Sequence, residues 1–365
     1  MPRKQKIIIA GVAIVIAGIL AYFTVGRSAM RTKRVKQIQT ENNEVQNNLP
    51  IANEGNVSPI SGLACENWNR RPIAVMQPSD VAARPASGFS EADMVIEMPV
   101  ITATITRLMG VYICNSPEEV GSIRSARHDF VHLAKGLDAI FVHWGRSQMD
   151  WFIEKLNSGI IDNINCNSDA GKSANGYCFR HPDLVGMHSG YIKFAKILEA
   201  SHDFGYRMEN KFSGYAHQPE ASIDERPEGG HLRVAFAGIY AADYDYDKNS
   251  NSYLRTWGKK EDKDRNNGER IAPKNIVVMM AKSYQIEGQY NNVELGDPWQ
   301  DSSDSGEAHY YFNGKEYHGT WKKDKSDIAS KLFFYDESGQ EIKFVPGQIW
   351  VEILEPGQTL KWEVK

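Results

Sequence analysis

Two arginines three residues apart stand at the centre of the sequence GSIRSARHDF, residues 121–130, in a chain whose formal net charge is -4. Arg124 and Arg127 enclose Ser125, and apolar residues at helical spacing follow them. A serine that caps a helix leaves the first-turn amides pointing outward at the positive end of the helix dipole. Guanidinium groups beside such amides can bind a carboxylate or phosphate in bidentate fashion. The segment therefore predicts an anion-binding site at a helix start.

Further candidates for this site come from neighbouring segments. Arg107 begins the strand that precedes the helix and could converge on the same edge. Glu97, His143 and Ser147 are candidates for the rest of the lining. His143 ends a predicted strand, and ligands of α/β sheets collect at the carboxyl ends of parallel strands. A structural interpretation stays open, since the arginines could instead form ion pairs inside the fold with carboxylates such as Asp93.

The elements predicted around these residues belong to a mixed α/β domain. Residues 107–114 and 138–145 have the β-branched and aromatic composition of strands. Between them, apolar residues at helical spacing from Ala126 to Ala134 predict a helix. The order strand, helix, strand is typical of a parallel crossover unit. Further strands are expected over 73–76 and 94–98, and further helices over 149–156 and 190–200.

The chain divides into two predicted domains. Residues 206–230 are polar and contain two prolines and a glycine pair, which is typical of a linker. Residues 60–205 before it form the α/β domain, and residues 231–365 after it are rich in β-branched and aromatic residues. The predicted fold class is therefore α+β or mixed α/β, with a β-rich C-terminal domain.

One uncharged stretch, residues 7–25, is about as long as the ~20 residues that cross a bilayer. The first 40 residues contain basic residues on both sides of this stretch and no acid, so charge alone does not set the orientation. We predict a transmembrane anchor over 1–26 and a disordered tether over 27–59; a cleavable signal peptide is the alternative. The acidic remainder of the chain argues against nucleic-acid binding.

Four cysteines, Cys65, Cys114, Cys166 and Cys178, all follow the apolar stretch, and none forms a C-x-x-C motif. Their even number suits two disulfides in an oxidising compartment. We expect Cys166 to pair with Cys178 and Cys65 to pair with Cys114. Four buried thiols in a cytoplasmic protein remain the alternative.

Several segments, in the same order along the chain, carry a resemblance to a known family. They are RPIAVM (71–76), ARPASGFSEADMVIE (83–97), ITR (105–107), GSIRSARHDF (121–130), LDAIFVHWGRS (137–147), NIVVM (275–279), GTWKK (319–323) and PGQIWVEI (346–353). On these segments the chain resembles the YerB-like family of bacterial lipoproteins, which has an N-terminal and a C-terminal domain and no known function. The resemblance implies attachment outside the cytoplasmic membrane, and hence an extracytoplasmic folded body. It supplies no catalytic residues.

The residues favour binding over catalysis, because no nucleophile set and no metal-ligand motif is recognisable. His128 and His132 share a helix face, but the glutamate of an H-E-x-x-H motif is missing. We therefore expect no cofactor and no metal, and an anionic envelope ligand or a protein partner at residues 124–127. The enzymatic alternative is a hydrolase or transferase of envelope glycans, with Glu97 or Asp93 as general acid or base and His143 as proton shuttle. A structural adaptor for a protein partner is the third hypothesis.

Overall fold

A computed structural model describes most of the chain after the predicted anchor. The described ranges are residues 55–101, 105–167, 171–174, 176–287, 290–293, 305–324 and 326–365. The predicted membrane stretch, residues 7–25, and nearly all of the predicted tether lie outside these ranges. Within them, no helix combines the length and the apolar character that crossing a membrane requires.

The described residues are mostly β-structure with few helices. The strands are β1 (Ile73–Pro78), β2 (Met94–Pro99), β3 (Thr106–Tyr112), β4 (Glu119–Gly121), β5 (Ile140–His143), β6 (Asn163–Asn165), β7 (Lys172–Ser173), β8 (Cys178–Arg180), β9 (Gly190–Lys193), β10 (Ala216–His217), β11 (Gly229–Ala235), β12 (Ala242–Asp247), β13 (Ser252–Trp257), β14 (Lys260–Glu261), β15 (Asn275–Met280), β16 (Ser283–Glu287), β17 (Tyr290–Val293), β18 (Ser305–Phe312), β19 (Lys315–Lys322), β20 (Phe333–Asp336), β21 (Lys343–Phe344), β22 (Ile349–Leu354) and β23 (Thr359–Val364). The α-helices are α1 (His128–Gly136), α2 (Asp150–Asn157) and α3 (Phe194–Asp203). All three described α-helices lie before residue 206.

Two sheets organise the described residues. A large mixed sheet has the order β20-β19-β18-β15-β22-β2-β3-β1-β5-β6-β7, and a smaller one has the order β14-β13-β12-β11-β23. Strands from both halves of the chain share the large sheet, because β2 pairs in parallel with β22 and Glu97 lies opposite Glu352. The predicted linker, residues 206–230, thus connects two segments whose strands hydrogen-bond in one sheet.

The large sheet has one core on each face, because successive strand residues point to opposite sides. On one side, which we call the α1 face, Met109 belongs to a core cluster with Phe130 of α1 and Phe152 of α2. On the other, the small-sheet face, Leu108 belongs to a cluster with Tyr244 of β12. The face on which a residue lies therefore decides which elements it meets.

The predicted parallel crossover between residues 107 and 145 is wrong. β3 runs antiparallel to β1, whereas β5 runs parallel to β1, and β1 lies between them. β3 and β5 therefore point in opposite directions, and α1 joins two strands that do not pair. A strand from earlier in the chain occupies the central place, which the local order of elements does not reveal.

The predicted helix starts also need correction. α1 begins at His128 with Arg127 as its N-cap, and no side chain caps it. Ser125 lies outside the helix, and its hydroxyl donates to the Trp144 carbonyl at 3.3 Å. The predicted helix over 190–200 begins as strand β9, where Tyr191 and Ile192 are buried and pair with β4 and β8.

Two disulfides link the cysteines. Cys65 bonds to Cys114, and Cys166 bonds to Cys178, which is the pairing expected from the sequence. The second disulfide closes the polar segment after β6 and lies beside the end of β5, where the Cys166 amide donates to the His143 carbonyl at 2.8 Å.

Candidate functional site

The segment that contains the two central arginines is inserted where β1 and β5 end. The Arg124 amide donates to the Met76 carbonyl at 2.8 Å, and the Ala126 amide donates to the Gly145 carbonyl at 3.0 Å. The Trp144 amide in turn donates to the Arg124 carbonyl at 2.9 Å. Residues 124–126 therefore lie at the carboxyl ends of two parallel strands, the edge at which α/β sheets bind ligands.

Three predicted arginines converge on this segment. Arg107 donates from Nη1 to the Ser125 carbonyl at 2.9 Å, and Arg127 donates from Nη1 to the Ala126 carbonyl at 3.0 Å. Both side chains are buried. Arg124 is more accessible, with 16% of its side chain exposed and a guanidinium nitrogen 3.9 Å from a carboxylate oxygen of Asp80. Arg107 and Arg127 thus shape the backbone, and Arg124 is the arginine closest to solvent.

A fourth arginine, which the sequence analysis did not single out, belongs to the same place. Arg146 forms an isolated parallel bridge with Ala126 and donates to the Ser147 carbonyl at 3.0 Å. Ser147 is buried beside it. An arginine so soon after β5, at residue 146, indicates a place near the carboxyl end of that strand. We call Arg107, Arg124, Ser125, Arg127 and Arg146 the arginine cluster.

His143 holds the end of β5 in position. It is buried on the α1 face, and its ring nitrogens lie 2.7 Å from the Gly145 carbonyl and 3.3 Å from Asn163 Oδ1. These contacts join the turn after β5 to the neighbouring strand β6. The structure places His143 near the arginine cluster in a supporting position.

Basic side chains also surround the start of α1. Lys155 Nζ lies 3.2 Å from His128 Nδ1 and 2.5 Å from His132 Nε2. Burial, reinforced by the Lys155 charge, lowers the pKa of His128 to about 2, and the same causes place the pKa of His132 well below its usual range. Burial and then the Arg124 charge also lower the pKa of His188. The histidines are therefore neutral at physiological pH, and the cations here are arginine and lysine.

Glu97 does not line this site, which corrects the prediction. Its cross-strand partner in β3 is Leu108, so it lies on the small-sheet face, whereas Arg107 and His143 lie on the α1 face. Glu97 is fully buried there, and one of its oxygens accepts a hydrogen bond from Thr106 at 2.5 Å. Glu97 and His143 cannot act on one substrate atom, because the sheet separates them.

Glu97 instead belongs to a buried group of charges between the two sheets. We call Arg84, Glu97, Tyr244, Arg255, Asp262 and Glu352 the inter-sheet ion network. Arg255 Nη2 lies 2.5 Å from Glu97 and 4.0 Å from Glu352, and Arg255 Nη1 also donates to Asp262. Arg84 Nη1 lies 3.0 Å from Asp262. No spacing in the sequence indicates this network, because its members come from segments far apart in the chain.

Burial raises the pKa of both carboxyls that lie opposite each other in the network, Glu97 and Glu352. Burial first, and the neighbouring Glu97 charge second, raise the pKa of Glu352 to about 8. The Tyr244 hydroxyl donates to the Glu352 carboxyl, and Arg255 Nε donates to the Tyr244 oxygen at 3.0 Å. With Glu352 neutral, the charges of Arg84 and Arg255 balance those of Glu97 and Asp262. Contacts of Arg255 with Glu97 and of Tyr244 with Glu352 join the small sheet to the large sheet.

Comparisons with known proteins connect this geometry to a family. The profile described as "Protein of unknown function (DUF3048) N-terminal domain" matches residues 60–207, and that of the corresponding C-terminal domain matches residues 232–351. The chain is 30% identical over 305 residues to the protein named "Putative lipoprotein YerB" from Bacillus subtilis, which covers 81% of this chain and 86% of that protein.

The fold is similar to that of a solved relative. The crystal structure of the YerB protein from Bacillus subtilis superposes with a TM-score of 0.71 at 26% identity, over 84% of this chain and 99% of that chain. The arginine cluster and Glu97 fall inside the first matched domain, and Glu352 lies one residue beyond the second. The chain belongs to the two-domain YerB family, whose function is unknown.

Proposed function

We propose that this protein is a membrane-attached, extracytoplasmic binding module that holds an anionic ligand of the cell envelope at the arginine cluster. The observation that carries the proposal is the position of Arg124 and Arg127 beside the carboxyl ends of β1 and β5, where Arg107 donates to the Ser125 carbonyl and the backbone of Arg146 forms a bridge with Ala126. Guanidinium groups suit phosphate and carboxylate because their planar donors match two acceptor oxygens at once.

The location rests on three supporting features. The relative from Bacillus subtilis is named a lipoprotein, which indicates attachment to the outside of the cytoplasmic membrane. Both disulfides suit an oxidising compartment. The uncharged stretch over 7–25 has the length of a membrane anchor.

The arrangement suits a long anionic polymer better than a small enclosed ligand. Arg124 keeps part of its side chain exposed, whereas Arg107 and Arg127 are buried and hold backbone carbonyls. A ligand that approaches from solvent would therefore meet the partly exposed Arg124 before the buried Arg107 and Arg127, which keep the segment in shape and add to its positive potential. Phosphate- or carboxylate-bearing envelope polymers have this chemistry.

A protein partner is the second candidate, and one observation favours it. Val185 and Met187 are 85% and 62% exposed, and the Met187 carbonyl accepts a hydrogen bond from Arg124 at 3.5 Å. Exposed apolar side chains beside a charged group are typical of a protein contact. The glycan-cleaving alternative has no support from Glu97 and His143, because the large sheet lies between these two residues.

Polymer binding by the full-length chain in detergent micelles tests the proposal. The probes are long-chain polyphosphate and teichoic-type polymer, with a neutral glycan for comparison. We expect Arg124→Gln to weaken binding of an anionic probe at least about tenfold, since hydrogen bonds to charged groups contribute about 1.5–3 kcal/mol. The matched control is Arg233→Gln, which removes an exposed arginine paired with Asp243 on the small sheet.

The outcome is decided by the difference between the two variants. Anion binding that is lost in Arg124→Gln and retained in Arg233→Gln supports the arginine cluster as the site. Equal loss in both variants, or no anion binding by the unmodified chain, would contradict it. Retained capture of a protein from envelope extract by an Arg124→Gln chain, lost in Met187→Ser, would favour the second candidate.

A further inference from the structure

A tight hairpin in the C-terminal half brings two histidines and a glutamate together. β18 and β19 are joined by Asn313 and Gly314, whose φ angles of 53° and 68° are those of a two-residue turn that matches the strand twist. A side chain at Gly314 would also meet Tyr246, since a Cβ atom there would lie 2.3 Å from Tyr246 Cε1. The turn thus fixes the register of the two strands.

This register places the three side chains on one face of the hairpin. His309 lies directly opposite His318, and Tyr311 lies directly opposite Glu316. Residues two apart on a strand share a face, so His309 and Tyr311 face the same side as Glu316 and His318. The ligand atoms of His309, Glu316 and His318 all lie within 4.8 Å of one another.

The distances suit a small tetrahedral cation. His309 Nδ1 lies 3.3 Å from Glu316 Oε1, and His318 Nε2 lies 3.8 Å from Glu316 Oε2. Zinc bonds of about 2.0–2.1 Å in a tetrahedron separate neighbouring ligand atoms by about 3.3 Å. The 3.8 Å separation is wider than this value, so a bound ion would draw His318 and Glu316 closer together.

Two neighbours already orient the ligand atoms. His309 Nε2 lies 2.9 Å from a carboxylate oxygen of Glu307, so the ring can donate from Nε2 and present Nδ1 to a metal. The Tyr311 hydroxyl donates to Glu316 Oε1 at 2.6 Å, which holds that carboxylate. A carboxylate or hydroxyl behind the ligand is the usual support of a protein metal site.

We propose that His309, Glu316 and His318 form a binding site for a divalent transition-metal ion of the zinc class, supported by Glu307 and Tyr311. His318 is 52% exposed at its side chain, so the ion reaches the site from solvent, and a water completes the coordination. The bound ion ties β18 to β19. The sequence motif E-x-H over residues 316–318, combined with a histidine on the preceding strand, is the signal that the sequence analysis missed.

A histidine between two aspartates on the small sheet provides the control. His231 on β11 lies 3.3 Å from Asp243 through Nε2 and 3.0 Å from Asp245 through Nδ1. Its two carboxylates are on opposite ring nitrogens, so one ion cannot bind all three groups. Replacement of His231 removes a histidine near acids and leaves the proposed site intact.

Cobalt binding tests the proposal, because tetrahedral Co²⁺ absorbs visible light where octahedral Co²⁺ does so only weakly. The full-length chain is purified without a polyhistidine tag, stripped with a chelator and titrated with Co²⁺ and then with Zn²⁺. No free cysteine is found among the described residues, and so thiolates do not compete under non-reducing conditions. We expect one Co²⁺ per chain with a tetrahedral spectrum, displaced by one equivalent of Zn²⁺.

The variants decide whether this hairpin is the site. His318→Gln should abolish the tetrahedral spectrum, Glu307→Gln should weaken binding about 10–100-fold, and His231→Gln should bind as the unmodified chain does. Circular dichroism and the melting temperature of the metal-free chains show whether each variant is folded; Glu316→Gln provides a second ligand variant. A folded His318→Gln chain that binds Co²⁺ normally, or an unmodified chain without the tetrahedral spectrum, would overturn the proposal.

Discussion

Arg255 and Arg107 lie on opposite faces of the large sheet, and their guanidinium groups serve different partners. Arg255 reaches the small-sheet face and contacts the carboxylates of Glu97 and Asp262. Arg107, on the α1 face, donates to the Ser125 carbonyl. Both side chains are buried, so burial alone does not distinguish an arginine that joins two sheets from one that shapes a loop.

The difference shows how to distinguish structural from ligand-directed arginines in this fold. In the inter-sheet ion network, each guanidinium meets carboxylates, and removal of one partner leaves a buried charge behind. In the arginine cluster, Arg107 and Arg127 donate to the backbone carbonyls that follow Arg124. The Arg124 side chain itself is partly exposed. The first arrangement should matter chiefly for stability, and the second chiefly for binding.

The largest expected effect is on the inter-sheet ion network. We expect Arg255→Met to lower the free energy of unfolding by about 3–5 kcal/mol, because Glu97 would lose its buried cation and Asp262 would keep only Arg84. Denaturant unfolding of the full-length chain measures this. Arg233→Met, at an exposed pair, should cost less than about 1 kcal/mol. An equal loss of unfolding free energy in the two variants would contradict a larger stabilising role for the inter-sheet ion network than for an exposed ion pair.

A somewhat smaller effect is expected from the disulfide behind the arginine cluster. Cys166→Ser with Cys178→Ser opens a loop of sequence separation 12 and should cost about 3 kcal/mol, and it should also weaken anion binding, because Cys166 supports the end of β5. The other disulfide is the control. Loss of the Cys65–Cys114 bond, with separation 49, should cost about 4 kcal/mol without changing anion affinity. A change in anion affinity of the same size in both variants would contradict a local role for the Cys166–Cys178 bond.

Glu352→Gln is expected to change the free energy of unfolding least of all at low pH. The glutamine side chain has the same shape as the neutral carboxyl that it replaces. The folded-state pKa of Glu352, raised by burial to about 8, exceeds its ordinary value of 4.5. Its contribution to stability is therefore fully present below about pH 4.5 and is lost as pH rises towards 8.

Unfolding free energies of the two chains between pH 5 and pH 8 measure this loss. The unmodified chain should lose stability more steeply over this range than the Glu352→Gln chain. Parallel curves would show that Glu352 is ionised in the folded protein and that the network is not balanced as described.

Much of the local structure was predictable, whereas the assembly of the site was only partly so. The alternation and β-branched residues of 73–76, 94–98 and 107–114 mark strands that the structure contains as β1, β2 and β3. The start of α1 was misplaced because serine is a preferred N-cap residue. The Ser125 hydroxyl instead donates a hydrogen bond to the Trp144 carbonyl. Composition identifies which residues favour a cap, but the hydrogen bond that a hydroxyl makes depends on the strand that lies beside it.

The candidate site shows the same limit. The spacing of Arg124 and Arg127 pointed to a cationic segment, and Arg107 does converge on it. Glu97 was wrongly placed there because the sequence does not show which face of the sheet each side chain occupies. The antiparallel register that pairs Glu97 with Leu108 puts it on the opposite face from Arg107.

The sequence by itself determined the properties that arise from neighbouring residues: strand alternation, the arginine-rich segment, the uncharged stretch over 7–25 and the turn at Asn313 and Gly314. Only the tertiary structure decided that β1 lies between β3 and β5, and that β2 pairs with β22 and brings Glu97 beside Glu352. The physical reason is that side-chain alternation is set within a strand, whereas partner and register are set by burial of both faces across distant segments. Chemistry that depends on one strand was therefore visible in the sequence, and chemistry shared between distant strands was not.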